Sequence, residues 1–149
     1  MAVLLDTNVL VRLSNAADAA FPVATLSLLK LHQRGETVHI TAQNLVEFRN
    51  VATRATSLNG LGLPLPIVES AAAVFERRFP LLPETPDIFV AWKALVSAAG
   101  VVGKQVHDAR LLAVCEVHQI SHLLTFNVAH FARFSACAPA IKVLHPATL

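Results

Sequence analysis

From its second residue the chain runs through four apolar side chains, Ala2-Val3-Leu4-Leu5, with no alternation, and stops at a carboxylate, Asp6. A strand with one wet face alternates apolar and polar residues. A strand without alternation must be covered on both faces, as helical layers cover a parallel sheet. Val9, Leu10 and Leu13 then recur at helical spacing, so a helix follows at once. Asp6 therefore falls at the carboxyl end of a buried strand, where open parallel sheets bind their ligands. It is either the cap of the next helix or a ligand for something held at that edge.

The remaining pattern extends this layout. Residues 22–33 read as a helix closed by Gly35, 37–40 as a strand and 42–54 as a helix with Leu45, Phe48 and Ala52 on one face. Residues 66–79 form the next helix, and 81–82 a minor strand. Thr85-Pro86-Asp87 combines a cap residue, an N1 proline and a first-turn acid, opening a helix to about residue 98. A further helix starts at His107 or Asp108 and ends near His118. Strands at 122–125 and 141–144 complete the order. Strands joined by helical crossovers predict an α/β fold, an α/β/α sandwich around a mostly parallel central sheet. No linker, charge block or repeat divides the sequence, so residues 1–149 are expected to form a single domain. Residues 57–64 read as a surface connection.

Hydrophobic residues make up 54% of the chain, yet no apolar run approaches the roughly 18–20 residues of a membrane helix. The surplus apolar surface points to a partner chain or a homodimer, with the helices around 26–31 and 67–75 as candidate walls of a docking groove. The opening carries Asp6 and lacks a basic segment, so no leader peptide is expected. Cys115 and Cys137 form no CxxC pair and are expected to be reduced, packed thiols of a cytoplasmic protein. A net charge of +2 is compatible with a polyanionic ligand but does not specify one.

Several polar residues gather at the carboxyl ends of these strands. Asp6 closes the first, and Thr41 the second, with Glu47 in the helix beyond it. Asp108 starts a helix after the turn at 100–104. Thr125 closes the late strand, and Asn127 lies two residues on. Each has a plain alternative: Asp6 and Asp108 as helix caps, Glu47 as a solvated helix residue, Asn127 as a turn residue. Glu36 belongs to the opposite edge, and Asp87 is explained by capping. Taken jointly, Asp6, Glu47, Asp108 and Asn127 make a cleft of hard oxygen donors, suited to Mg²⁺ or Mn²⁺ rather than zinc.

The segments that bear these residues resemble a known family. "LLDTNVLVRL" is similar to the opening motif of PIN-domain ribonucleases, and "NLVEFRNVATR" to their second motif, with Glu47 as its acid. "VGKQVHDARLLAVCEVHQISHLLTFNVAHF" resembles their third and fourth motifs. The resemblance spans nearly the whole chain, with the VapC-like toxins of bacterial toxin–antitoxin pairs as the nearest branch. It implies that Asp6, Glu47 and Asp108 hold the metal, and that Asn127 stands where many relatives place a fourth acid. His130 stands where relatives often have Asp. It further implies Thr7, Asn8 and Thr125 as hydrogen-bonding supports.

The expected function is a Mg²⁺- or Mn²⁺-dependent endoribonuclease, with RNA as substrate and a cognate antitoxin as partner. The ion would acidify a bound water and offset charge on the scissile phosphate. Arg12, Arg49 and Lys104 are the basic residues nearest the acids and the candidates for flanking phosphates. His107 is expected to be partly buried, and Trp92 to lie in the core. Two rivals stand beside this reading. One is a non-catalytic module of the same fold with a vestigial metal site, favoured by Asn127. The other is an aspartyl-phosphate phosphohydrolase, which usually needs an acid where Asn8 stands.

Overall fold

The computed structural model describes residues Met1–Leu149. Its elements are β1 (Ala2–Leu5), α1 (Thr7–Leu13), α2 (Phe21–Gln33), β2 (Thr37–His39), α3 (Ala42–Thr53), α4 (Leu65–Arg78), α5 (Pro86–Ala99), α6 (Gln105–Val117), β3 (His122–Leu124), α7 (Val128–Phe131) and β4 (Lys142–Leu144). Short 3₁₀ turns lie at Thr56–Leu58, Ala132–Phe134 and Pro146–Thr148. The four strands form one sheet in the order β2-β1-β3-β4, and every pairing is parallel.

The unalternated opening behaves as its composition requires. Val3, Leu4 and Leu5 are all fully buried, and successive side chains leave opposite faces of the sheet. Leu4 joins Leu123, Ile88, Leu95 and the apolar face of α6 on one side. Val3, Leu5 and Leu124 join Val9, Leu10, Leu31, Phe48 and Phe75 on the other. Helices α5, α6 and α7 thus cover one face, and α1 to α4 cover the other. This is the α/β/α sandwich that the strand-and-helix alternation predicts. No helix is long and apolar enough to cross a membrane.

Element ends follow local chemistry. α3 opens with a capping box in which Thr41 and Asn44 bond each other's backbone N–H. α5 stops at Gly100, whose φ of +60° is the left-handed conformation that glycine adopts without strain. Two expectations change. The minor strand at 81–82 reduces to a single parallel bridge, Ile40 to Leu81. α6 starts at Gln105, so Asp108 sits inside its first turn and does not cap it. A four-residue helix, α7, follows β3; it is too short for helical periodicity to reveal.

The apolar surplus is visible at the surface. Leu26 and Leu29 on α2 are exposed, as are Leu65, Ile67 and Val74 on α4. A groove between these two helices is lined by Phe21, Leu28, Val74 and Phe75. A second exposed set comprises Phe89 and Val90 on α5 and Val102 in the α5–α6 connection.

Candidate active site

β1 lies between β2 and β3. The chain leaves β1 toward β2 beneath one helical layer and later returns to β3 beneath the other. The carboxyl ends of β1 and β3 therefore flank the point where connections diverge, the usual crevice for ligands in such sheets. Asp6 stands there in extended backbone, with its N–H bonded to Leu124 O at 2.9 Å.

Asp6 occupies the N-cap position of α1, but its side chain makes no capping bond. The carboxylate turns to the neighbouring strand end. Thr125 Oγ1 donates to Asp6 Oδ2 at 2.6 Å, and Asn8 Nδ2 donates to the same oxygen at 2.8 Å. Asn8 Nδ2 also donates to Thr125 Oγ1 at 3.0 Å, and Asn8 Oδ1 accepts the Phe126 N–H at 3.1 Å. An amide has one donor end and one acceptor end, so this partner set fixes the orientation of Asn8. Asn8 clips the ends of β1 and β3 together while aiming Asp6.

Glu47 comes from α3. Thr7 Oγ1 donates to Glu47 Oε2 at 2.7 Å, and Gln43 Nε2 donates to Glu47 Oε1 at 2.8 Å. Thr7 Oγ1 in turn accepts from Asn44 Nδ2 at 3.2 Å, and Asn44 is fully buried. Asp108 comes from the first turn of α6, with His130 Nδ1 3.9 Å from its Oδ2. Three carboxylates separated widely in sequence thus meet at one sheet edge.

Their electrostatics reflect burial first and mutual repulsion second. Burial pushes the Asp6 carboxyl up to about 6. The Thr125 hydrogen bond opposes this, and the negative charges of Asp108 and Glu47 reinforce it. Burial also raises the Asp108 carboxyl; His130 pulls against the rise and Glu47 adds to it. A cation between these groups would favour their ionised forms.

The donor set fits a hard divalent ion in an open arrangement. All three candidate ligands offer oxygen, which suits Mg²⁺ or Mn²⁺. The structure forms no group of three or more His, Cys, Asp or Glu side chains that could hold a metal ion as they stand. Asp6, Glu47 and Asp108 are the residues that would hold it.

The other anticipated residues take varied places. Thr41 is turned inward into the capping box of α3. Asn127 is exposed; its backbone N–H bonds Thr125 Oγ1 at 3.0 Å, and its side chain makes no hydrogen bond. Arg12 donates to Asn8 O at 3.2 Å and lies 4.6 Å over the Phe126 ring. Arg49 is paired with Glu69 on α4. Lys104 is exposed at the start of α6. His107 is exposed, contrary to the partly buried position expected, because it lies on the solvent side of the first turn of α6. Trp92 is half-buried against the core, with Nε1 bonded to Val106 O at 2.8 Å. Cys115 is a buried free thiol, pushed up to about 12 by burial, and Cys137 is a half-buried one.

Two polar residues at the site escaped the sequence reading. Gln43 bonds Glu47, and Arg110 donates to Gln43 Oε1 at 3.1 Å. The first had a signal, since Gln43 and Glu47 are spaced i, i+4 and share a helix face. Arg110 follows Asp108 by two residues, and its partners lie 26 and 67 residues away, so no local pattern reveals it.

Similarity to known structures agrees with this architecture. The chain is similar to VapBC2 from Rickettsia felis, solved with a DNA fragment from its promoter: 15% identity over 97% of this chain and 98% of that one, with a TM-score of 0.70. It is similar to VapBC-1 from nontypeable Haemophilus influenzae at 14% identity, covering 98% of each chain, with a TM-score of 0.67. It is also similar to VapC20 of Mycobacterium tuberculosis, a sarcin–ricin-loop-cleaving toxin: 21% identity over 81% of this chain and 86% of that one, with a TM-score of 0.56. At these identities the likeness establishes a common fold. No curated protein matches the sequence. Residues 3–136 match the family model of the PIN domain, and the chain belongs to the PIN-domain family.

Proposed function

We propose that this protein is a metal-dependent endoribonuclease and the toxin of a toxin–antitoxin pair. What supports the reading is the electrostatic coupling of Asp6, Glu47 and Asp108, which come from three separate elements, with burial and mutual repulsion raising two of the three carboxyls. Crowded carboxylates alone would repel RNA, so a bound cation is needed to admit a phosphate. When bound, Mg²⁺ or Mn²⁺ supplies a more acidic water and positive charge for the scissile phosphate.

The chain's own residues perform the positioning. Thr125 and Asn8 hold Asp6 by one oxygen, and Thr7 and Gln43 hold Glu47 by both. Asp6 Oδ1 accepts no side-chain bond and each Glu47 oxygen accepts only one, which leaves lone pairs for a ligand. His130 sits beside Asp108 at the mouth, and Lys104 is free to meet a flanking phosphate. Asn127 adds a neutral amide where an acid would add charge, so a second ion would be held less tightly.

The partner reading is supported by the two apolar faces and by the solved relatives, among them VapBC assemblies and a member of the VapBC family of toxin–antitoxin systems. The α2/α4 groove would take an apolar helix or extended segment of an antitoxin. The face of Phe89, Val90 and Val102 would meet a second copy of the chain. This arrangement would operate in the cytoplasm.

The test is Asp108→Asn. Asn conserves shape, and Asp108 makes no capping bond to lose, so the fold should survive. What is lost is one negative charge aimed at the ion. The variant should show no cleavage of structured or unstructured RNA in Mn²⁺ that the wild type cuts, with equal circular dichroism. Equal cutting by both proteins removes Asp108 from the active site. The non-catalytic reading predicts that the wild type, supplied with Mn²⁺ and a panel of RNAs, cuts none.

A further inference from the structure

We infer that Gln43 is a positioning residue of the metal centre, an amide strut that sets Glu47 and the helix bearing Asp108 at a fixed separation. The inference rests on the proposed reading of Asp6, Glu47 and Asp108 as metal ligands.

Gln43 lies one turn before Glu47 on α3 and is half-buried. Its Nε2 donates twice: to Glu47 Oε1 at 2.8 Å, and to the backbone carbonyl of His107 at 3.0 Å. His107 immediately precedes Asp108 on α6. Gln43 Oε1 accepts from Arg110 Nη1 at 3.1 Å. One side chain therefore ties a candidate ligand on α3 to the peptide adjoining a candidate ligand on α6.

The partner chemistry permits only one orientation. Arginine can only donate, whereas a carboxylate and a carbonyl can only accept. The amide oxygen must face Arg110, and the amide nitrogen must face Glu47 and His107. Arg110 is itself anchored by an ion pair with Glu84, in the segment before α5. The line Glu84–Arg110–Gln43–Glu47 thus runs from the outer layer into the site. Thr7 holds the other oxygen of Glu47 from α1, so the carboxylate is steered from two elements.

Such steering matters because the three carboxylates do not by themselves make a group that could hold a metal ion. An open site owes its affinity to how well its few ligands are aimed. Loss of a residue that orients a ligand typically lowers metal affinity by about 10–100-fold. Gln43→Met conserves length and shape while deleting all three hydrogen bonds. Arg110→Met leaves Gln43 in place but removes the donor that orients it.

The experiment is Mn²⁺ titration of the full-length, metal-free protein, followed by electron paramagnetic resonance. Free Mn²⁺ gives a sharp signal, and bound Mn²⁺ a broadened one whose shape reports ligand geometry. The expected result is Mn²⁺ binding about 10-fold weaker in Gln43→Met, with an altered bound-state spectrum. Arg110→Met should shift both readings in the same direction by a smaller factor. A purely structural role would lower melting in EDTA and leave the bound spectrum unchanged. Wild-type affinity and spectrum in a folded Gln43→Met would overturn the inference. If Gln43→Met does not fold, Arg110→Met decides on the same two readings. If the wild type and Asp6→Asn bind Mn²⁺ equally, or neither binds, the metal-centre reading itself fails. That outcome is distinct from one in which the wild type binds and Gln43→Met matches it.

Discussion

Thr125 donates its hydroxyl hydrogen to Asp6 Oδ2 at 2.6 Å across 119 residues of sequence. The same hydroxyl accepts from Asn8 Nδ2 and from the Asn127 N–H, each at 3.0 Å. A threonine hydroxyl has one hydrogen and two lone pairs, and here all are used. Thr125 is fully buried, so each of these bonds forms in a low-dielectric setting. The contact couples the strand pair β1–β3 to the chemistry at its end.

Thr125→Val tests that coupling. Valine conserves shape but leaves the Asn127 N–H without its acceptor and Asp6 without a donor. The expected cost is about 1–3 kcal/mol of stability, as for a buried polar group left unpaired. Because the Thr125 bond lowers the Asp6 carboxyl, its loss should raise that carboxyl above about 6. Carbon-detected NMR titration of the aspartate carboxyls in metal-free protein measures the shift. An unmoved Asp6 signal would show that the hydroxyl bonds elsewhere in solution.

The raised Asp6 carboxyl makes a signed prediction for stability against pH. A group whose folded-state pKa lies above its unfolded value favours the fold while protonated. That contribution is fully present below about 3.8 and is lost as pH rises through about 6. At neutral pH the metal-free protein therefore carries a cost of at most about 3 kcal/mol from this one buried carboxylate. Asp108 adds in the same direction. In EDTA at pH 7.5, Asp6→Asn should melt above the wild type by about 5 °C, and the gap should close toward pH 4. Mn²⁺ should raise the wild type at pH 7.5 and leave Asp6→Asn unmoved. A variant that melts below the wild type at both pH values would mean that Asp6 stabilises the fold as an ion.

How much was legible in advance depends on how local each signal is. The apolar run of β1 and the helical spacing of α1 are short-range patterns, and both elements formed where expected. Asp6, Glu47 and Asp108 could be grouped as candidates because Asp6 ends a strand and the other two lie in the first two turns of helices, where fold topology decides placement. Gln43 and Arg110 could not be gathered, because their partners include a backbone carbonyl and side chains from other elements. α7 was missed because four residues cannot display a 3.6-residue period. His107 was misjudged because helix phase was uncertain by the two residues that separate Gln105 from the expected start. The pairing of Arg49 with Glu69 required knowledge that α4 packs beside α3, which no pattern in either helix contains.

The exposed apolar faces yield the last prediction. Phe89, Val90 and Val102 are 62%, 65% and 76% exposed, and Phe89 packs against Trp92 with ring centroids 5.7 Å apart. An exposed aromatic side chain packed on a second aromatic, with exposed valines on the same helix and in the connection after it, has the composition of an interface core. A stable dimer needs about 800 Å² from each copy, more than these three side chains supply, so neighbouring parts of α5 must also be covered. Sedimentation equilibrium should find a dimer at micromolar concentration. Phe89→Glu should shift it to monomer while changing the melting of the monomer little, because the substituted side chain is already in water. Leu29→Glu, on the exposed face of α2, should leave the dimer intact and weaken only the binding of an antitoxin segment. A wild type that sediments as a monomer at high micromolar concentration would refute the dimer. Dissociation by Leu29→Glu in place of Phe89→Glu would move the self-association to α2 and leave the α5 face for another partner.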